Sequence, residues 1–269
     1  MRVVALVKHV PDIQSARSFG EDGLLRRGGS DDTLIELDED ALEAALRLVE
    51  SAPGAAEDAP HDVTVLTVGP AGAVEALRRG LAMGATTAVH VQDDAIAGSD
   101  AVTTARVLGA AVRHLHEQAP VDVVVAGMAA LDGLTSLVPA ALAAVLDWPQ
   151  LTLADRIEVQ DGRVTVHRET SAHSEVLSAA TPAVLSVTDQ TFRARFPDFK
   201  GIMAARKKPV TTLDLAALGL APGDVGPQGS ATTVVEAVPR PERPDRIVVT
   251  DDGDAFVGLA EYLAQKGFV

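Results

Sequence analysis

An α/β fold built on a mostly parallel, doubly wound sheet is what this sequence predicts, with a small β-hairpin addition and an extended C-terminal arm. Three observations carry that expectation. Short apolar runs alternate with helix-periodic segments over the first 150 residues, the order expected of βαβ units with helices on both faces of a parallel sheet. After Gln150 the pattern changes to short strand-like runs around Asp161-Gly162, a strong hairpin pair. The stretch from Gly219 to Pro244 is rich in Pro and Gly and reads as an arm rather than a packed element.

The elements follow in order. Val3 to Val7 is the first apolar run. Leu42, Ala45, Leu46 and Val49 then recur at helical spacing behind Asp38, Glu39 and Asp40, acidic residues suited to a helix N-terminus. Val63 to Val68 is the next strand, stopped by Gly69-Pro70. Val74, Leu77 and Leu81 share one helical face, with Glu75, Arg78 and Arg79 on the other. Ala88 to Val91 is a third strand. Ser99 or Asp100 caps a long helix whose Ala105, Leu108, Val112 and Leu115 face inward. Val121 to Ala126 is the fourth strand, and a helix-like run covers Pro139 to Leu146. Beyond Gln150, the segments 156–160, 164–166 and 175–177 read as short strands, and 181–187 as another entering the same sheet. From Phe192 to Pro209 no strong period appears and six basic residues occur. Leu259 to Lys266 reads as a short terminal helix. No internal repeat or low-complexity tract is present.

Composition narrows the function. A chain of 269 residues can bury a sizeable core in one large or two small domains. Its balance of 47% apolar and 23% charged residues is that of a soluble globular protein. No apolar run reaches the roughly 18 residues expected of a membrane helix. The opening MRVVALVKHV lacks the basic, apolar and cleavable order of a signal peptide, so the expectation is a cytoplasmic protein without membrane insertion. The absence of cysteine excludes disulfides, thiol catalysis and cysteine-held iron–sulfur clusters. Any electrons handled here must ride on an organic cofactor. A net charge of −15 argues against nucleic acid, whose binding relies on Lys and Arg.

The segment GMAALDGLTSLVP, Gly127 to Pro139, leaves a buried strand and enters a helix. In an open α/β sheet that position faces the ligand crevice, because strand carboxyl ends and helix N-termini both point there. A strand–Gly–loop–Asp–helix unit can equally be a plain connection, and Gly69-Pro70 can simply end a strand. Two such loops at one sheet edge favour a nucleotide crevice over either alone. No G-x-G-x-x-G and no P-loop occurs, and neither do the G-x-S-x-G and H-E-x-x-H signatures of hydrolases and zinc proteases. The seven histidines do not cluster, and His114 and His116 lie two apart on a helix, facing different ways. His9 and His173 read as surface or loop residues. The carboxylates read as solvated charges on helix faces. No catalytic constellation and no metal set emerges.

The tract FPDFKGIMAARKKP, Phe196 to Pro209, carries Phe196, Phe199, Ile202 and Met203 in otherwise polar sequence. It reads either as a segment buried against the chain's own core or as a docking loop. Aromatic and Met anchors flanked by basic residues are typical of interface hot spots.

Longer matches sharpen this reading. VVALVKHVP (3–11), IELDEDALEAALRL (35–48), TVLTVGPAGAVEALRRGLAMGA (64–85), GSDAVTTARV (98–107), the 127–150 block ending in LDWPQ, and IMAARKKP (202–209) together resemble the electron transfer flavoprotein β subunits. GLAMGA and LDWPQ are specific; the 127–150 block is similar, without a gap, to that family's AIDGDTAQVGP…FLDWPQ segment. The resemblance implies a fold of the adenine-nucleotide-binding type and a heterodimer with a larger α subunit that holds most of the FAD. It further implies a β-subunit site for AMP, or for a second FAD in bifurcating relatives, and a loop that docks flavin-linked dehydrogenases. By position it implies a cofactor-binding edge of Leu6, Val68, Gly127, Ala130, Asp132, Gly133, Thr135 and Val138, with Ile35 to Asp38 alongside. It places the docking contacts at Phe199, Ile202 and Met203, Phe199 standing where the family has an anchoring leucine. The expected layout is an α/β domain over 1–190, a docking loop over 191–210, and an arm with a short helix over 211–269.

Departures from the family pattern bear on the nucleotide. Ile35 replaces an Asn, Leu134 an Asp and Leu137 a Gln, and aliphatic groups cannot satisfy a buried phosphate, ribose or flavin edge. The segment after Arg168-Glu169 is also altered, to Ser171-Ala172-His173. These changes set AMP retention against loss and keep open a structural subunit that has lost its nucleotide; a stand-alone nucleotide-binding module is a separate alternative.

Overall fold

The computed structural model describes residues 1–52, 61–238, 240–241 and 247–269, so Pro239 and Pro244 of the expected arm lie outside the described residues. Two compact units divide the chain, Met1–Val235 and Glu236–Val269.

The first unit opens with β1 (Arg2–Leu6), a short antiparallel pair β2 (His9–Pro11) and β3 (Asp32–Leu34), and α1 (Glu36–Ser51). It continues through β4 (Asp62–Val68), α2 (Val74–Met83), β5 (Thr87–Val91), α3 (Ala101–Gln118), β6 (Val123–Gly127) and α4 (Val138–Leu146). Next come β7 (Gln150–Ala154), β8 (Arg156–Gln160), β9 (Arg163–Glu169), β10 (Ser174–Ala180) and β11 (Ala183–Val187). The unit ends with α5 (Phe199–Ala205), β12 (Thr211–Leu213) and the four-residue α6 (Gly226–Gly229). Seven strands form the central sheet in the order β12-β5-β4-β1-β6-β11-β7, and every pairing in it is parallel.

Strand alternation builds two cores. Val3, Ala5 and Val7 face α1 and α2, packing with Leu42, Leu46, Leu77 and Leu81. Val4 and Leu6 face the opposite way with Leu66, Leu108, Val112 and Leu142. Side chains one residue apart on a strand point to opposite faces, so a run apolar at every position is what a sheet covered on both sides requires. Asp100 is the cap of α3: its carboxylate accepts from Thr103 N at 2.8 Å. Ser99 instead accepts from Gly226 N at 2.8 Å.

The hairpin falls where the sequence placed it. β8 and β9 pair antiparallel across Asp161-Gly162, whose φ values of 50° and 71° suit the right-handed twist of a tight hairpin. β10 adds a third strand, and Val164 and Val166 bury into the core on the α1 side. Three local expectations need correcting. The segment 181–187 becomes β11, which enters the parallel sheet between β6 and β7 rather than joining the hairpin strands. Gln150 begins a strand, β7, that no alternation announced. The tract after Phe192 is not aperiodic throughout, because Phe199–Ala205 is helical.

In the second unit, α7 (Ala255–Gln265) covers the expected terminal helix. It has no buried residue, and Phe256, Leu259 and Tyr262 are exposed.

Candidate functional site

From β1 the chain runs by α1 to β4 on one side of the sheet; from β6 it runs by α4 to β7 on the other. The strand order therefore reverses between β1 and β6, and the crevice of a doubly wound sheet opens beyond the carboxyl ends at such a point. Leu6 closes β1, Val68 closes β4 and Gly127 closes β6, which brings these three predicted residues to one edge.

Gly127 is there because nothing larger fits. A Cβ on it would stand 2.9 Å from the Leu37 carbonyl oxygen and 3.1 Å from Asp38 Oδ1. The first turn of α1 thus packs directly on the end of β6. Asp38 is buried at this contact, and its Oδ2 accepts from the Lys8 backbone N–H at 2.8 Å. Burial pushes its carboxyl up to about 7; the Lys8 amide and ammonium pull it back, and the nearby Asp132 charge adds to the rise.

Asp132 is the centre of the charged network. Its side chain is wholly buried, and Lys8 Nζ donates to both of its oxygens at 2.8 Å. Arg27 grips Oδ2 with Nε at 2.8 Å and Nη2 at 2.7 Å. Burial alone would raise the Asp132 carboxyl, but Lys8 and Arg27 outweigh it and hold it below the ordinary carboxylate range. Two cations share one carboxylate, with Asp38 close by.

The rest of the loop is open. Leu134 N donates to Ala130 O at 2.8 Å, and Leu134 and Ser136 take left-handed backbone with φ of 51° and 50°. Gly133, Thr135, Leu134 and Leu137 are exposed, while Val138 begins α4. Of the three departures from the family pattern, only Ile35 is buried, at 1% exposure; Leu134 and Leu137 face solvent.

Phe199, Ile202 and Met203 lie on α5, with Phe196 just before it. Phe199 is 79% and Phe196 86% exposed, and Ile202 and Met203 remain partly open, so these four side chains are not part of the chain's own core. Asp198 caps the helix by accepting from Gly201 N at 2.6 Å.

Two of the isolated histidines have structural partners. His116 Nδ1 accepts from Val121 N at 3.0 Å and its ring lies 5.4 Å from Trp148. His173 stands 3.1 Å from Glu175. Among the described residues no group of His, Cys, Asp and Glu could hold a metal, and no helix is long and apolar enough to cross a membrane. The reading of all carboxylates as solvated was too simple. Glu43 on α1 is buried, bound by Arg195 at 2.6 Å and Arg47 at 2.7 Å. Lys8 and Arg27 were missed as site residues. Lys8 had a signal, being the first charged residue after a buried strand that ends at the ligand edge. Arg27 had none, because it reaches Asp132 across 105 positions from an irregular loop.

A doubly wound α/β protein with a charged loop at its switch point is the class that fold and site define. The electron transfer flavoprotein domain model matches residues 23–218. The electron transfer flavoprotein subunit beta of Mycobacterium tuberculosis (strain ATCC 25618 / H37Rv) is 40% identical over 266 residues, 98% of each chain. The subunit of that name from Megasphaera elsdenii is 31% identical over 271 residues, covering 99% of this chain and 97% of that one. The caffeyl-CoA reductase-Etf complex subunit CarD of Acetobacterium woodii is 32% identical over 243 residues, covering 90% and 89%. The chain belongs to the electron transfer flavoprotein family, on the side of its β subunits.

Proposed function

We infer that this chain is the β subunit of a heterodimeric electron transfer flavoprotein, carrying electrons between a flavin-linked dehydrogenase and a downstream acceptor. The observation that carries this reading is end-to-end similarity to β subunits at 40% identity. The site agrees with a carrier: Lys8, Arg27 and Asp132 at the edge are paired with one another. The FAD resides mainly with the α subunit. Once bound it supplies the redox chemistry, while this chain contributes docking, positioning and the electrostatics of the crevice.

The residues of the crevice fit a weakly held adenine nucleotide better than a dinucleotide. Lys8 and Arg27 offer an anion two donors, but Asp132 already occupies both, and the buried Ile35 has no polar group to give. AMP is therefore bound weakly or lost. The exposed apolar face of α5 is the dehydrogenase contact, and the flanking Lys200, Arg206 and Lys207 add charge to it.

The test is expression with and without an α partner. The single chain should be colourless and the co-expressed heterodimer yellow, with one FAD per dimer; stoichiometric FAD on the single chain overturns the assignment. Nucleotide extracted from the heterodimer should fall well short of one AMP per dimer, and a full equivalent would show that loop amides alone suffice.

A further inference from the structure

The docking helix α5 has only seven residues, too few to hold its own shape in water. What holds it is α2. Gly201 lies flush on that helix: a Cβ there would come 2.5 Å from the Ala82 carbonyl oxygen. Ala205, one turn on, is buried. Arg78, on the outer face of α2, donates through Nη1 to Ala205 O at 2.8 Å and to Lys208 O at 2.5 Å. Lys208 Nζ returns to Ala85 O, just beyond the end of α2, at 2.6 Å. The neighbouring Arg79 ties α2 to α1 through Glu39 at 2.8 Å. A cation at a helix C-terminus satisfies carbonyls that have no partner in the helix and complements its dipole.

From this arrangement we propose that Arg78 is a positioning residue for partner docking. By bridging the end of α5 to the turn after it, it keeps Gly201 and Ala205 on α2. That leaves Phe199, Ile202 and Met203 turned outward in one rigid array. The inference rests on the reading of α5 as the dehydrogenase contact. Preorganisation raises affinity by removing the ordering cost of the loop at the moment of association, so loss of Arg78 weakens docking without touching the apolar contacts themselves.

The experiment uses the heterodimer and a flavin-linked dehydrogenase selected because it reduces the wild-type protein. Arg78→Met should raise the KM for the heterodimer about fivefold with kcat nearly unchanged, and Arg78→Lys should recover part of it. In a Phe199→Ala background Arg78→Met should add less than about twofold, because the array it orders has lost its anchor. Hydrogen exchange of the Ile202 to Ala205 amides should accelerate in Arg78→Met while β1 and β6 stay protected. If Arg78→Met impairs folding, Gly201→Ala, which pushes α5 off Ala82 and leaves Arg78 intact, should give the same rise in KM. A KM within twofold of wild type for Arg78→Met, or for Gly201→Ala where the former does not fold, overturns the positioning role while Phe199→Ala still slows reduction. Silence of Phe199→Ala itself would instead remove the docking reading beneath it.

Discussion

The crevice at the β1–β6 switch point and the helix α5 solve opposite problems with opposite materials. At the crevice, charge is turned inward: Asp38 and the Asp132 carboxylate are buried, and their partners are Lys8, between β1 and β2, and Arg27 in the 12–31 loop. At α5, apolar groups are turned outward, and the polar work is confined to the back of the helix, where Arg78 and Lys208 bind carbonyls. A buried carboxylate is tolerated only when hydrogen bonds and cations surround it, whereas an exposed Phe is tolerated anywhere and becomes informative when several cluster. Buried charge therefore makes the crevice sensitive to pH and to its partners. Exposed apolar surface makes α5 sensitive to another molecule. Substitutions can break or sharpen that contrast.

Asp38 should give the largest effect. Its folded pKa lies near 7, and the unfolded chain releases the same proton in the ordinary carboxylate range. Below that range both states hold the proton and stability is unaffected. As pH rises from about 4 toward 7, the unfolded chain deprotonates first and the folded chain binds more protons, so stability falls. Above the folded pKa the loss is constant, and at about 1.4 kcal/mol per unit it amounts to roughly 4 kcal/mol. Asp38→Asn keeps the acceptor for Lys8 N and removes the titration. Urea unfolding of the heterodimer at pH 8 should find the variant a few kcal/mol more stable than wild type, with the gap closing near pH 4. A gap that does not change with pH would mean that burial at this position is no harsher than at α5.

Phe199→Ala comes next. Truncating an aromatic anchor commonly removes about 2 kcal/mol or more of binding, on the order of a thirtyfold loss of affinity for the dehydrogenase. Heterodimer stability and the flavin spectrum should hardly move, since the ring is 79% exposed. Unfolding or loss of FAD in this variant would erase the distinction between the two regions.

Asp132→Ala should be milder than its full burial suggests. Lys8 and Arg27 keep 39% and 40% side-chain exposure, so both can rehydrate once their partner is gone. The loss should be about 1–2 kcal/mol in a denaturant titration rather than the larger cost of stranding a buried charge.

The smallest effect belongs to Leu134→Ser. Leu134 is 61% exposed, so thermal unfolding should stay within about 0.5 kcal/mol of wild type. A large destabilisation would show that the loop's apolar residues are covered in the heterodimer.

Local pattern and long-range assembly divided the structure between them. The alternation of runs at Val3–Val7, Val63–Val68, Ala88–Val91 and Val121–Ala126 determined the central strands, because side-chain periods of 2 and 3.6 follow from backbone geometry within a few residues. A cap at Ser99 or Asp100 and the Asp161-Gly162 hairpin were legible for the same reason: each satisfies its backbone within a few positions; the structure settled the cap on Asp100. The tertiary structure alone decided where β7, β11 and β12 sit, since a buried strand carries no mark of its neighbour. It alone brought Lys8 to Asp132 across 124 positions, and only contact with α2 made a helix of Phe199–Ala205. Burial and ion pairing depend on what lies opposite in space, and no window of sequence contains that.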